Sequence, residues 1–279
     1  TGINLLSLGY THTSARWRST AVAQLGDSAV VNYAAEKVRE VQHIQEAFLG
    51  YKLGHDLWLD SGIFLSHIGP ESWISKNNST YLRSFIAENS PYYESGMRLS
   101  GNLSSDTSYQ LLIVRGWQNI STNKSLAFGS NISTKLSEDL SITHSTFIGN
   151  ENGKRIYSDF YVKLNLTNRL TALAAYDFGY QELPNDSAWW SGSVFLLNYK
   201  LQEELSFYGM AESFIDPEGV LISSLDKSNH FSVIGFSFGV DYQIRNGVFV
   251  RIGYRPLFSK YRVFQNSPNN MKSNGSVFV

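Results

Sequence analysis

Arg16 and Arg18 stand two residues apart, and Arg251 and Arg255 four apart with Arg245 shortly before them. At even spacing on an extended backbone such residues share a face. Each group therefore forms a short ladder of guanidiniums, able to grip a carboxylate or an anionic solute with two parallel hydrogen bonds. Glu46, Asp60, Glu94, Arg98, Asp177 and Asp241 fall on the same alternate positions. Charges of both signs on one face can set a local field across a water-filled space. They can equally pair across neighbouring strands and only stiffen the wall. Both readings stand at this point, and charge near balance predicts weak ion selectivity.

Other chemistries find less support. Acyl transfer needs a serine, a histidine and an orienting partner within reach. His144 and Ser145 adjoin, but neighbours on a strand point to opposite faces; His144 and Thr146 share a face, a weaker nucleophile arrangement. Glu203 and Glu204 fall in a turn. The six His are scattered and the chain has no Cys, so thiolate metal sites and disulfides are excluded. Net charge is −1, which removes an electrostatic case for nucleic acid. No cofactor, metal or catalytic residue is expected.

The elements that position these residues are legible as turns first. Lys52–Leu57, Asn102–Thr107, Lys135–Leu140, Asn165–Leu170 and Lys200–Leu205 are near-copies of one hexapeptide, and Gln243–Val248 is a looser one. Two apolar residues four apart close a hairpin with a three-residue loop and both point outward. Alternating segments flank the turns: 2–12, 14–25, 42–53, 56–66, 92–104, 107–117, 125–136, 139–150, 155–167, 169–181, 188–200, 203–215, 230–245, 247–258 and a stub at 272–279. The alternation is cleanest from Phe160 through Phe178 and from Phe236 through Tyr254. About ten residues is what a tilted strand needs to cross a bilayer.

Composition separates a membrane wall from a soluble sandwich. Aromatics are 14% and charged residues 17% of the chain, against about 25% charged in ordinary soluble domains. A barrel uses such rings as girdles at its two interfaces. The strands are of uniform length, and short turns alternate with longer connections at 26–41, 67–91 and 216–229. The expectation is an all-β, antiparallel, up-and-down transmembrane β-barrel with short periplasmic turns and long extracellular loops. Sixteen strands are expected, or fourteen if a marginal pair is loop. Residues 1–279 read as a single domain lacking part of its first and last strands. One outward strand should precede Thr1, and Ser276–Val279 reads as the opening of a closing strand.

The run Gln45–Leu53, then Leu57–Phe64 and Ser66–Gly69, with Ala87–Gly96 and Gly116–Asn119, resembles the outer-membrane β-barrel porins related to OmpL. The resemblance is dense over residues 14–120 and continues afterwards as pattern. It implies a bacterial outer-membrane location and porin activity, and it carries over no catalytic residues. The reading is then a passive diffusion channel for small hydrophilic solutes, embedded in outer-membrane lipid. Its pore-lining candidates are Arg16, Arg18, Glu46, Asp60, Glu94, Arg98, Asp177, Asp241, Arg245, Arg251 and Arg255. The long 67–91 loop is expected to narrow the path through Glu71, Trp73, Arg83 and Glu88. The alternative is a plugged barrel that anchors envelope partners, with 26–41 (the one stretch of helical character) and the 67–91 loop as docking surfaces. A homo-oligomer or an envelope protein partner is left open.

Overall fold

The computed structural model describes residues 2–123, 125–222, 230–261 and 263–264, and the backbone of 273–278. Parts of the expected 216–229 connection and of the 272–279 stub lie outside the described residues. The strands are β1 (Leu6–Thr13), β2 (Trp17–Leu25), β3 (Ile44–Lys52), β4 (Trp58–Leu65), β5 (Tyr93–Asn102), β6 (Thr107–Val114), β7 (Ala127–Lys135) and β8 (Leu140–Asn150). They continue as β9 (Lys154–Thr167), β10 (Leu170–Leu183), β11 (Asp186–Lys200), β12 (Leu205–Asp216), β13 (Phe231–Arg245), β14 (Val248–Phe258) and a short β15 (Ser273–Phe278). Strand order in the sheet follows chain order. Fourteen strands of at least eight residues match the lower of the two expected numbers, and the six-residue β15 pairs antiparallel with β14.

The turns explain why the chain reverses where it does. Leu53 N–H donates to Leu57 O at 2.8 Å, Leu103 to Thr107 O at 2.8 Å, Leu136 to Leu140 O at 2.8 Å and Leu201 to Leu205 O at 2.9 Å. Within two of these loops a serine hydroxyl accepts from the returning strand: Ser104 Oγ from Thr107 N at 3.1 Å and Ser137 Oγ from Leu140 N at 3.1 Å. The same staple closes β1 onto β2 through Ser14 and Trp17. The fourth copy carries the same staple, with Thr167 Oγ1 accepting from Leu170 N at 3.0 Å. In the looser sixth copy, by contrast, Arg245 pairs with Val248 around Asn246–Gly247, next to a bulge in β13. Gly247 takes φ +79°, the left-handed backbone that a two-residue hairpin turn asks for.

The two faces of the strands are inverted relative to a water-soluble protein. Phe236, Phe238, Tyr242 and Ile244 are 47%, 52%, 50% and 58% exposed, while Asp159, Asp177, Glu212 and Asp241 are 0%, 2%, 4% and 7% exposed. Burying a carboxylate is costly unless it is paired, and leaving rings in water forfeits about 25 cal/mol per Å² of apolar surface. The arrangement is favourable only where the exposed face meets hydrocarbon.

The chain divides into two compact units. The first holds Thr1–Ile68, Pro91–Thr134 and Ser145–Ile156; the second holds Gly69–Ser90, Lys135–His144 and Tyr157–Val279. In the first, the 26–41 connection forms helix α1 (Asp27–Asn32), in keeping with its helical character. Glu36, part of the expected docking surface, is buried instead. It accepts from Ile120 N at 2.6 Å, from Ser121 Oγ at 2.8 Å and from the Tyr93 hydroxyl at 3.0 Å, binding that connection to the loop after β6. In the second unit, 69–90 contains the short helix α2 (Phe85–Glu88), capped by the Ser84 side chain.

Candidate functional site

In the first unit the polar face is organised around one carboxylate. Arg18 on β2 lies opposite Gly50 on β3, Gly50 opposite Asp60 on β4, and Asp60 opposite Arg98 on β5. Gly50 has no side chain, so Arg18 reaches across an entire strand. Its Nε donates to Asp60 Oδ1 and its Nη2 to Oδ2, both at 2.6 Å, and Nη2 also donates to Ser100 Oγ at 2.9 Å. A Cβ at Gly50 would stand 2.2 Å from Asp60 Oδ1. Arg98 donates to Asp60 Oδ2 from Nε at 3.0 Å and from Nη2 at 2.9 Å. The guanidiniums also stack on aromatic rings, Arg18 at 4.7 Å from Trp58 and Arg98 at 4.6 Å from Phe64. Glu46 lies within electrostatic reach of Arg98. Sequence reading named these charges but missed the glycine that joins them; a glycine in mid-strand among alternating residues is the signal for such a close approach.

Glu94, expected to line an aqueous wall, is fully buried and faces His67 at 2.9 Å. The other nitrogen of His67 lies 2.9 Å from Thr146 O. The ring rests over Gly129, where a Cβ would come within 2.7 Å of it. Asn131 Nδ2 and Ser145 Oγ donate to the His67 carbonyl at 3.2 and 3.1 Å. This cluster is a fastening at the root of the long connection. Arg16 also leaves the wall, because it sits exposed in the turn between β1 and β2.

In the second unit the polar face of β12 to β14 holds the segment 69–90. Arg251 forms an ion pair with Asp241 at 3.1 Å, and it donates to Ser75 O at 2.7 Å and Asn78 O at 3.0 Å. Arg255 Nε donates to Glu212 Oε1 at 2.7 Å, and Glu212 Oε2 accepts from Phe85 N at 2.8 Å. The Phe85 ring lies 4.8 Å from the Arg255 guanidinium and packs with Phe214 and Phe231. Asp159 accepts from Gly69 N at 3.2 Å, and Asp177 accepts from the Tyr157 hydroxyl. Arg245 stands exposed at the end of β13.

The four residues expected to narrow the path have different tasks. Glu71 accepts from the Ser84 backbone and hydroxyl, and burial raises its carboxyl above the ordinary value. Arg83 is buried and donates to Ala87 O at 2.7 Å. Trp73 is half-buried and Glu88 exposed. Glu71 and Arg83 therefore shape the segment, while Ser75, Asn78 and Phe85, which sequence reading did not single out, attach it to the wall. His144 pairs with Ser158 Oγ at 2.9 Å across β8 and β9, whereas Ser145 turns to His67, as expected for neighbours on opposite faces. Among the described residues no cluster of His, Asp or Glu has the arrangement of a metal site.

The fold is that of known outer-membrane channels. The outer membrane channel DcaP of Acinetobacter baumannii is 12% identical with a TM-score of 0.58, covering 91% of this chain and 77% of its own. OmpT of Vibrio cholerae, in a trimer form, is 11% identical with a TM-score of 0.60 over 91% and 80%. An anion-selective porin from Comamonas acidovorans is 7% identical with a TM-score of 0.60 over 91% and 78%. No curated protein matches the chain. The family model described as putative beta-barrel porin-2, OmpL-like, matches residues 1–279, and the chain belongs to that family. It is an outer-membrane β-barrel of the porin class.

Proposed function

We propose that small hydrophilic solutes cross the outer membrane along the polar face of this chain by passive diffusion, with segment 69–90 narrowing the path. No catalytic step or cofactor enters the reading. The observation that carries it is the attachment of that segment to Arg251, Glu212 and Arg255 on the polar face. Arg18, Glu46, Arg98, Arg251 and Arg255 line the path. The buried carboxylates of Asp60, Glu94, Asp177 and Asp241 support it from behind, and Arg16 and Arg245 lie at turns. Most of these charges are paired, which supports weak ion selectivity. The exposed apolar face meets lipid, and residues 1–279 act as one barrel domain. The trimer form of OmpT supports looking for a homo-oligomer.

The test is single-channel conductance in a planar bilayer, comparing the full chain with a deletion of residues 70–88. Stable steps that enlarge on deletion are expected. Silence in the full chain with large steps in the deletion identifies a plugged barrel. Silence in both overturns the channel reading.

A further inference from the structure

At the turn-side end of the first unit's polar face, strands β2, β4, β5 and β6 enclose a cleft of about 300 Å³ lined by Arg18, Asp56, Trp58, Ser100, Gly101, Asn102, Ser108, Tyr109 and Gln110. Its floor is set by register. Trp58 lies opposite Ser100, Ser100 opposite Gln110, and Asn102 opposite Ser108. Alternation therefore brings their side chains to the face that carries Asp60.

Three properties of this cleft bear on what it holds. The first is an unmet acceptor: Gln110 Oε1 is buried and has no hydrogen-bond partner, a condition that calls for a physical reason in a folded protein. The second is a fixed donor. Arg18 is held by Asp60 and Ser100 through Nε and Nη2, which leaves the N–H groups of Nη1 without a partner among the described residues. The third is charge. Arg18 and Asp56 offset one another, whereas the neutral groups of Ser100, Asn102, Ser108 and Gln110 outnumber them. One aromatic ring, Trp58, adds flat apolar surface.

We infer that this cleft is a weak recognition site for a neutral sugar, entered from the path that solutes take. A sugar ring carries hydroxyls that donate to Gln110 Oε1 and accept from Arg18 Nη1, and it has a C–H face that rests against the Trp58 ring. The volume lies at the low end for ligand sites, which suits a mono- or disaccharide better than a polymer. An anion is a poorer match, because Asp60 and Asp56 together balance the charges of Arg18 and Arg98. A conducting site must also release what it binds, so affinity is weak by design. The inference rests on the channel reading for the route to the cleft, and its test is independent of conductance.

The full chain in detergent micelles is titrated with glucose, maltose and gluconate while tryptophan fluorescence is followed, and Trp58→Phe identifies the reporting ring. A saturable response to glucose or maltose is expected, with the half-saturating concentration raised about tenfold in Gln110→Leu, as for the loss of one buried hydrogen bond. Ser108→Ala, a smaller change on the neighbouring strand position, should move it in the same direction and guards against a folding defect in Gln110→Leu. No saturable response to either sugar overturns the site. A stronger response to gluconate that Arg18→Gln abolishes overturns the sugar assignment in favour of an anion. Saturable sugar binding by a chain that is silent in the bilayer would leave the site standing and remove the channel.

Discussion

The two polar walls use the same chemistry in different directions. In the first unit, Arg18 and Arg98 converge on Asp60 along the sheet, strand to strand, with Gly50 making room. In the second, Arg251 and Arg255 hold carboxylates on their own sheet and also reach off it, to Ser75 O, Asn78 O and the Phe85 ring. The lateral pairs join elements that the sheet already holds together. The off-sheet contacts hold a segment that no strand pairing secures. A guanidinium can do both because its fork presents five donors in a plane, so one edge serves a carboxylate while another serves a carbonyl. The lesson is that ion pairs on a polar wall are stiffeners in one place and tethers in another, and only the partner's location distinguishes them.

The strongest way to break the comparison is to cut the tethers. Arg251→Ala combined with Phe85→Ala removes the guanidinium contacts to Ser75 O and Asn78 O and the Phe85 ring contacts, leaving the backbone bond from residue 85 to Glu212 in place. Truncating a buried Phe costs about 3–5 kcal/mol, and half-burial here places the effect at or below the low end. Open-channel current should rise several-fold, and the segment should become a site of limited proteolysis. An unchanged current with an intact segment would mean that the off-sheet contacts are incidental.

Crowding the lateral row is the next test. Gly50→Ala puts a Cβ 2.2 Å from Asp60 Oδ1 and 2.8 Å from Arg18 Cγ, so the bridge must part or the strands must shift. Overpacking of this kind costs about 1–3 kcal/mol. The urea midpoint should fall while mean conductance changes little. Gly209→Ala is the control, since a Cβ there meets nothing within 4 Å. Equal losses for the two variants would show that the row contributes nothing beyond ordinary strand propensity.

The smallest effect is in pH. Burial raises the Glu71 carboxyl above its ordinary 4.5. A raised carboxyl supports the folded segment fully below that ordinary value, and the support is lost as pH rises through the higher one. Segment 69–90 should therefore be held hardest in acid and loosen as pH climbs from 4.5, with current noise growing in step. Glu71→Gln should flatten that dependence; an unchanged pH profile in the variant would assign the titration elsewhere.

The strands and most of their turns could be read from the chain because a half-buried strand imprints a two-residue period. From Phe160 to Phe178 every apolar residue predicted to face outward is exposed or half-buried, and none is buried. Turn length was less legible. Asn246–Gly247 matches the hexapeptide pattern, but Arg245 pairs with Val248 beside a bulge in β13, an irregularity that residue spacing does not announce. Partner choice was not legible at all. Nothing local to Phe85 announces that Glu212 will cap it. Nor does anything local to Glu94 announce that it will meet His67, from a connection without periodicity, where Asp60 meets Arg18 and Arg98. Periodic signals report which face a residue takes, and contacts from aperiodic segments carry no such signal.

The bridge over Gly50 also bears on how the sheet is assembled. A strand that slips by one residue exchanges its two faces, and a slip of β3 would bring Tyr51 or Leu49 between Arg18 and Asp60. Either side chain would bar the bridge, and the slip would turn Glu46 and Lys52 of β3 to the lipid side. Three residues on three successive strands thus lock the register of β3.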